Sequence, residues 1–232
     1  MFGYMQWKPE GRPRIDLKPE MIGGATFLTL EVQGGSRRLW RRVSRAVADM
    51  ERAGIRRCVM PPKWPEEWRG GMLPVEEQGL RQTVFPQLLD RYCQERGLDL
   101  QDAAVLLSAP AADRQVWTTA DLLARRSRYL ILSVADGEEL RRELLRRYGI
   151  AAVTGGRRPA LQVCFDRPRE SVPALLLGPD CTRRQNVIYE LPPSLLTRLG
   201  EREPSSQLVS ALWESGALPA EDIRVKSLGF PA

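Results

Sequence analysis

Residues 129–154, YLILSVADGEELRRELLRRYGIAAVT, decide the fold class. The run YLILSV is apolar and of strand length, and Asp136 with Glu139 three residues later forms the capping box that opens a helix. Gly149 ends that helix, and IAAVT at 150–154 is a second strand. A strand, a helix and a strand joined by short turns predict a unit whose two strands pair in parallel.

The same alternation extends toward the N-terminus. Strands are predicted over 26–32 (TFLTLEV), 55–60 (IRRCVM) and 103–108 (AAVLLS), with helical patterns between them. The first helix carries an apolar face formed by Leu39, Val43, Ala46, Val47 and Met50. Near-continuous apolar strands are typical of sheets covered by helices on both faces. The predicted fold is therefore α/β, a Rossmann-like three-layer sandwich with a mainly parallel sheet and antiparallel edge strands from the C-terminal third.

The first 24 residues lack this rhythm. They are predicted as an extended N-terminal arm, because three prolines stand among their charges: Pro9, Pro13 and Pro19. Tyr4 and Trp7 give the arm two aromatic anchors, which dock either on its own domain or on a partner chain. The second alternative would make the arm a means of homo-oligomerisation.

The rest of the chain, 25–232, is predicted as a single Rossmann-like domain. Its regular βα core covers 26–154, and an irregular extension covers 155–232. The short connection GGRRP between IAAVT and ALQVCF (160–165) predicts a hairpin that adds an antiparallel strand. About 50 residues rarely hold a core alone, so the last quarter is assigned to the same domain.

No catalytic or cofactor motif is present in the sequence. The chain has no histidine, which removes Ser-His-Asp and Cys-His pairs, histidine bases and most catalytic metal sites. The spacings GxGxxG and GxxxxGK[ST] are both absent. No metal site is predicted, a cofactor stays unknown, and the balance leans against an enzyme without excluding one.

The four cysteines do not form a zinc motif or a CxxC pair. Cys58, Cys93 and Cys164 lie in strand-like or apolar helical patterns and are predicted as buried thiols. Cys181, in the loop-like GPDCTRR, is the one candidate for a reactive thiol, although an inert side chain is the favoured interpretation. Its role stays open.

Charge and hydropathy bear on partners and location. The net charge of +6 rests almost wholly on arginine, a bias typical of a GC-rich, bacterial-type genome, and this explanation is favoured over nucleic-acid binding. No stretch has the roughly 18 apolar residues of a membrane helix, and the N-terminus has no signal-peptide pattern. No membrane association is expected, and the expected location is the cytoplasm.

Candidate ligand contacts follow from strand position, because ligands of open parallel sheets bind beyond the carboxyl ends of the strands. The loop after the first strand, VQGGSRR, offers a flexible backbone and a helix N-terminus that favours an anion. Its candidate residues are Gly34, Gly35, Ser36 and Arg37. A simple tight turn is the competing interpretation, and it is favoured.

The long connection 61–74 is a second candidate, either as a lid or as a cover for the sheet. It contributes Lys63, Trp64 and Arg69 to the predicted site, with Trp68 one helical turn beyond Trp64. The segment GGRR adds Gly155 and Gly156, on the hypothesis that both glycine loops lie along one edge of a single sheet.

These candidates predict a Rossmann-like protein that binds a small anionic ligand, a nucleotide or phosphorylated metabolite, at the strand C-terminal ends. A non-catalytic protein-interaction module of the same fold is the alternative. Nucleic-acid binding through the arginines of the first helix is a weaker third, because a solvated helix face is the favoured explanation of these arginines.

Overall fold

The computed structural model describes residues 1–34, 37–153, 158–168, 172–179 and 185–229. The chain forms two compact units. The first consists of Met1–Glu76 and Leu191–Ile223, and the second of Glu77–Glu190 and Arg224–Ala232. The sequence predicts a single domain instead. The strands of both units are short apolar runs, and nothing local in such a run specifies its pairing partner.

In chain order, the elements are β1 (Phe2–Lys8), β2 (Arg14–Ile22), β3 (Ala25–Gln33), α1 (Arg37–Arg52), β4 (Arg57–Val59), β5 (Leu73–Pro74), α2 (Gln78–Thr83), α3 (Phe85–Arg96), β6 (Ala104–Ala109), α4 (Arg114–Arg126), β7 (Tyr129–Val134), α5 (Glu138–Tyr148), β8 (Leu161–Cys164), β9 (Ala174–Leu176), β10 (Asn186–Glu190), α6 (Pro193–Leu199), α7 (Ser206–Glu214) and β11 (Arg224–Gly229). Single 3-10 turns lie at Glu66–Trp68 and Ala220–Asp222.

The first unit is built on a five-stranded sheet in the order β2-β3-β1-β4-β5. All neighbouring pairs are parallel except β2 and β3, which form an antiparallel hairpin around Gly23 and Gly24. Both glycines have positive φ, 60° and 102°, as a tight hairpin turn requires. Helix α1 connects β3 to β4, and the apolar face predicted for it is buried against the sheet.

The N-terminal segment is not the arm that the sequence predicts. Strand β1 lies inside the sheet, with β3 on one side and β4 on the other, and β2 forms one edge. Pro9 and Pro13 lie in the connection between β1 and β2, where they interrupt no strand. Pro19 lies within β2, and an edge strand tolerates a residue without an N–H group.

The second unit contains a four-stranded sheet in the order β7-β6-β8-β9, with every pair parallel. Val153 forms an isolated parallel β-bridge with Ile131 of β7, so it takes a fifth position in this sheet, beside β7. The predicted hairpin is therefore wrong, since β8 pairs in parallel with β6 rather than antiparallel with the segment around Val153. Strands β10 and β11 form a separate antiparallel ribbon.

The chain is thus a mixed α/β protein whose sheets are mainly parallel. The antiparallel strands do not lie where the sequence predicts them. In the first sheet the antiparallel edge strand is β2 from the N-terminus, and the C-terminal β11 pairs outside both larger sheets. Among the described residues, no helix combines the length and the apolar character needed to cross a membrane.

A buried ion pair ties α2 to the far end of the second sheet. Arg81 is 0% exposed, and its guanidinium donates to the Glu77 carboxylate at 2.9 Å and to the Gln185 carbonyl at 2.5 Å. The Gln185 side-chain oxygen accepts from Arg81 at 3.2 Å and from the backbone N–H of Leu176, at the end of β9, at 3.2 Å. Burial raises the pKa of Glu77, and the Arg81 charge opposes that shift. Each charge is tolerated here because the other is present.

Replacing Arg81 with alanine should lower the free energy of unfolding by about 3–5 kcal/mol, because it leaves the Glu77 carboxylate buried without its cation. Urea denaturation of the purified protein measures this change. Arg91→Ala is the matched control, since Arg91 forms a partly exposed pair with Glu95 at 2.8 Å. That substitution should cost about 1 kcal/mol or less. Equal effects of the two substitutions would contradict the conclusion that Arg81 and Glu77 form a stabilising buried ion pair.

Candidate functional site

The predicted anion-binding loop after β3 begins with Gly34, whose backbone N–H and C=O groups both form hydrogen bonds to β1. Gly34 has φ of 90°, and its N–H donates to the Lys8 carbonyl at 2.8 Å. Its own carbonyl accepts from the Trp7 indole at 3.0 Å. Gly35 and Ser36 lie outside the described residues, and Arg37 begins α1. Both hydrogen bonds join Gly34 to the end of β1, so this glycine extends the pairing of β3 with β1.

The 61–74 connection packs onto the first sheet through its two tryptophans. Trp64 and Trp68 are 6% and 7% exposed and belong to the apolar cluster behind the sheet. Trp68 makes edge contacts with Trp7 and Trp64, at centroid distances of 5.6 and 6.1 Å. Lys63 is exposed and Arg69 half-buried. In this conformation the indoles contribute to the core and leave no aromatic surface for a ligand.

Trp68→Ala should therefore lower the free energy of unfolding by about 3–5 kcal/mol, as expected for a large aromatic removed from a core. Trp40→Ala is the control, because Trp40 is 41% exposed and its indole donates to the Glu67 carbonyl at 3.2 Å. Its removal should cost about 1 kcal/mol. If Trp68→Ala proved as mild as Trp40→Ala in chemical denaturation, the tryptophan would belong to a loosely held lid.

The predicted glycine loops do not border the same sheet. Gly34 follows β3 of the first sheet, whereas the segment leading to Gly155 and Gly156 contributes Val153 to the second. Gly155 and Gly156 themselves lie outside the described residues. The hypothesis of one shared edge requires a single sheet, whereas the described residues form three, counting the β10–β11 ribbon.

The second sheet brings together a pair of polar side chains that the sequence pattern does not reveal. Ser108, on β6, and Asp166, two residues past β8, lie side by side because β6 and β8 are neighbours. The Ser108 hydroxyl donates to the Asp166 carboxylate at 2.6 Å. Ser108 is 5% exposed, while Asp166 is exposed. A carboxylate held at the surface by a buried hydroxyl can accept hydrogen bonds from hydroxyl or amino groups of a ligand.

Two arginines flank this pair along the chain. Arg114 is the first residue of α4, which follows β6, and Arg167 follows Asp166 directly. Both are exposed. Asp113 caps α4 by accepting from the Val116 N–H at 2.9 Å, so a carboxylate already occupies the helix N-terminus. The loop from β6 to α4 is short and made of small residues, with alanines at 109, 111 and 112.

Asp136 also differs from its predicted role. The sequence predicts it as the cap of α5, but the N-cap residue is Gly137. Asp136 instead has φ of 55° and is exposed two residues past the end of β7. The end of β7 adjoins the end of β6, so the second sheet carries exposed carboxylates beyond two of its strands.

Thiol and metal chemistry receive little support from the described residues. Cys58 is fully buried, and burial raises the pKa of its thiol to about 12. Cys164 is buried and Cys93 only partly so, while Cys181 lies outside the described residues. Within the described ranges no group of three or more Asp, Glu or Cys side chains is arranged to hold a metal ion.

Two cavities open on the first unit. One, of about 570 Å³, lies at the edge where β1 and β3 begin and is widely open. The other, of about 300 Å³, lies over β1, β2 and β3 and is lined almost wholly by polar side chains. Neither contains residues of the predicted site.

Comparison with known proteins yields weak structural similarity and no match of sequence. No protein-family model matches the chain, and no curated protein matches its sequence. Among solved structures, the chain is similar to the crystal structure of L-tryptophan dehydrogenase from Nostoc punctiforme. The identity is 10% and the TM-score 0.35, over 90% of this chain and 71% of that chain. A similarity of this size establishes neither a common fold nor a common function.

Proposed function

We propose that the second unit is a Rossmann-like domain that binds a small anionic ligand, a nucleotide or phosphorylated metabolite, at the carboxyl ends of its parallel strands. The observation that carries the proposal is the reversal of strand order between β6 and β8. Counting Val153, the five positions run Val153-β7-β6-β8-β9, which is the 3-2-1-4-5 order of dinucleotide-binding domains. Ligands of such sheets bind at the point where the order reverses.

The side chains beyond that point suit a ligand with both anionic and hydroxyl groups. Arg114 and Arg167 would supply positive charge to a phosphate. Asp166, held by Ser108, would accept from hydroxyl groups. Asp136 follows the second strand of the order, where dinucleotide-binding domains place the acidic residue that binds the ribose. These carboxylates favour a nucleotide over a simple phosphate.

One departure from those domains bears on where the phosphate would lie. Their glycine-rich turn lets a pyrophosphate sit on the N-terminus of the first helix. Here the turn is Ala109-Pro110-Ala111-Ala112, and the Asp113 carboxylate already caps the helix. Like charges repel, so the phosphate of this ligand would bind to the side chains of Arg114 and Arg167 rather than to the backbone N–H groups at the helix N-terminus.

A thermal-shift panel of mono- and dinucleotides, sugar phosphates and inorganic phosphate tests the proposal. A ligand present at 100 times its Kd stabilises the folded protein by about 2.7 kcal/mol, or roughly 5–10 °C for a chain of this size. Arg114→Ala with Arg167→Ala should abolish the shift. The double variant Arg142→Ala with Arg146→Ala removes two exposed arginines from α5 and should retain it.

Two results would contradict the proposed function. One is a panel in which no nucleotide or phosphate raises the melting temperature. The other is an equal loss of the shift in both double variants, which would mean that the ligands respond only to net charge. Asp166→Asn adds a finer measurement, because it should weaken the binding of nucleotides, whereas inorganic phosphate should bind at least as tightly once a carboxylate beside the two arginines is removed.

A further inference from the structure

The first sheet carries a polar surface on the side opposite its apolar cluster. Alternate residues of a strand point to opposite faces, so Met5 and Trp7 of β1 face the cluster while Gln6 and Lys8 face away. The strand register aligns these outward residues in rows. Lys8, Gln33 and Arg14 form one row across β1, β3 and β2.

A second row lies one step down the strands, about 7 Å from the first. It consists of Gln6, Glu31 and Asp16, again across β1, β3 and β2. Lys18 of β2 lies on the same face in the row below. These residues line the cavity of about 300 Å³, a volume at the lower end of the range for small-molecule sites.

The ion pairs within the cavity leave positive charge in the first row. Lys18 lies 3.6 Å from the Asp16 carboxylate and 3.7 Å from the Glu31 carboxylate, so it offsets both anions in part. Arg14 approaches Asp16 only at 3.9 Å and is 74% exposed. Lys8 has no carboxylate within 4.0 Å in the described part of the chain. Three cations against two carboxylates give the cavity a net positive charge, concentrated on Lys8 and Arg14.

The sheet fixes the backbone positions of Lys8 and Arg14. Lys8 ends a central strand, and its carbonyl accepts from Gly34 at 2.8 Å. Arg14 begins the edge strand β2 and pairs with Gln33 across the hairpin. The Gln33 amide lies between the two charges in the row and can donate to a ligand oxygen. A row of cation, amide and cation on paired strands is preorganised for a small oxyanion.

We propose that this cavity is a second binding site, for a small anion bearing a carboxylate or phosphate group, held by Lys8, Arg14 and Gln33. It lies within the first unit and does not depend on the nucleotide site proposed for the second. Gln6 and the carboxylates of Asp16 and Glu31 line the cavity next to the anion. They would contact polar hydrogens elsewhere on the same ligand.

Isothermal titration calorimetry with citrate and with inorganic phosphate tests this site and distinguishes the two anion classes. The variant Lys8→Gln with Arg14→Gln should bind the preferred anion about ten-fold or more weakly, because it loses two charged donors. Arg56→Gln with Arg198→Gln removes the same charge from exposed positions of the same unit. Its affinity should match that of the parent protein.

Glu31→Gln gives a result of the opposite sign. Removing this carboxylate frees Lys18 from one of its partners, so anion affinity should rise. A gain of affinity cannot come from a misfolded variant, which keeps the proposal testable if Lys8→Gln with Arg14→Gln proved unstable. Binding should also weaken as the salt concentration increases.

Three outcomes would overturn the proposal: no heat of binding with either anion, equal losses in the two double variants, or a Glu31→Gln variant that binds anions more weakly. The nucleotide-site variant Arg114→Ala with Arg167→Ala separates the two proposals. It should leave binding of the anion to the first unit unchanged, so either site can fail while the other stands.

Discussion

The pairing of β1 with both β3 and β4 holds the first unit together. Both neighbours are parallel to β1, so the sheet is continuous only when residues 2–8 lie between β3 and β4. Gly3 makes this possible. A Cβ atom at residue 3 would lie 2.2 Å from the Cys58 Sγ and 2.7 Å from the Met50 Cε. The absent side chain of one strand thus makes room for a buried thiol on the next and for a core methionine of α1.

The same pairing creates the polar cavity of the first unit. Because β1 lies beside β3, the outward residues Gln6 and Lys8 line up with Glu31 and Gln33, and the hairpin adds the charges of β2. The packing that buries Met5 and Trp7 on one face therefore fixes the spacing of the charges on the other.

Local sequence patterns predicted which segments form helices and strands far better than they predicted which strands pair. The strands near 26–32, 103–108 and 129–134 and the apolar face of α1 follow from periodicity, which depends only on neighbouring residues. Strand pairing is non-local, so the sequence could not show that the strands form separate sheets. The prolines after Trp7 led to the prediction of an extended arm in place of β1. Pro9 and Pro13 lie in the connection that follows the strand and not in the strand itself.

The candidate site of the second unit escaped prediction for the same reason. Ser108 and Asp166 are 58 residues apart and meet only because β6 and β8 are neighbours. Asp136 and Glu139 match a capping box, yet the helix begins one residue later, with Gly137 as its cap. The expectation that ligands bind beyond the strand ends needed no information about strand partners. That expectation lacked the strand order, which places the point of reversal between β6 and β8.

The two proposed sites rest on different physical properties. The nucleotide site depends on topology, because a reversal of strand order opens a crevice whatever the residues around it. The anion site depends on charge, since its cavity lies on a regular sheet surface and its specificity must come from the unequal numbers of cations and carboxylates. A chain without histidine has no side chain whose ordinary pKa lies near neutrality. At both sites the protein's part in recognition would therefore rest on Arg, Lys and carboxylate charges and on hydrogen bonds, and a pH dependence near neutrality would come from the second ionisation of the ligand's own phosphate.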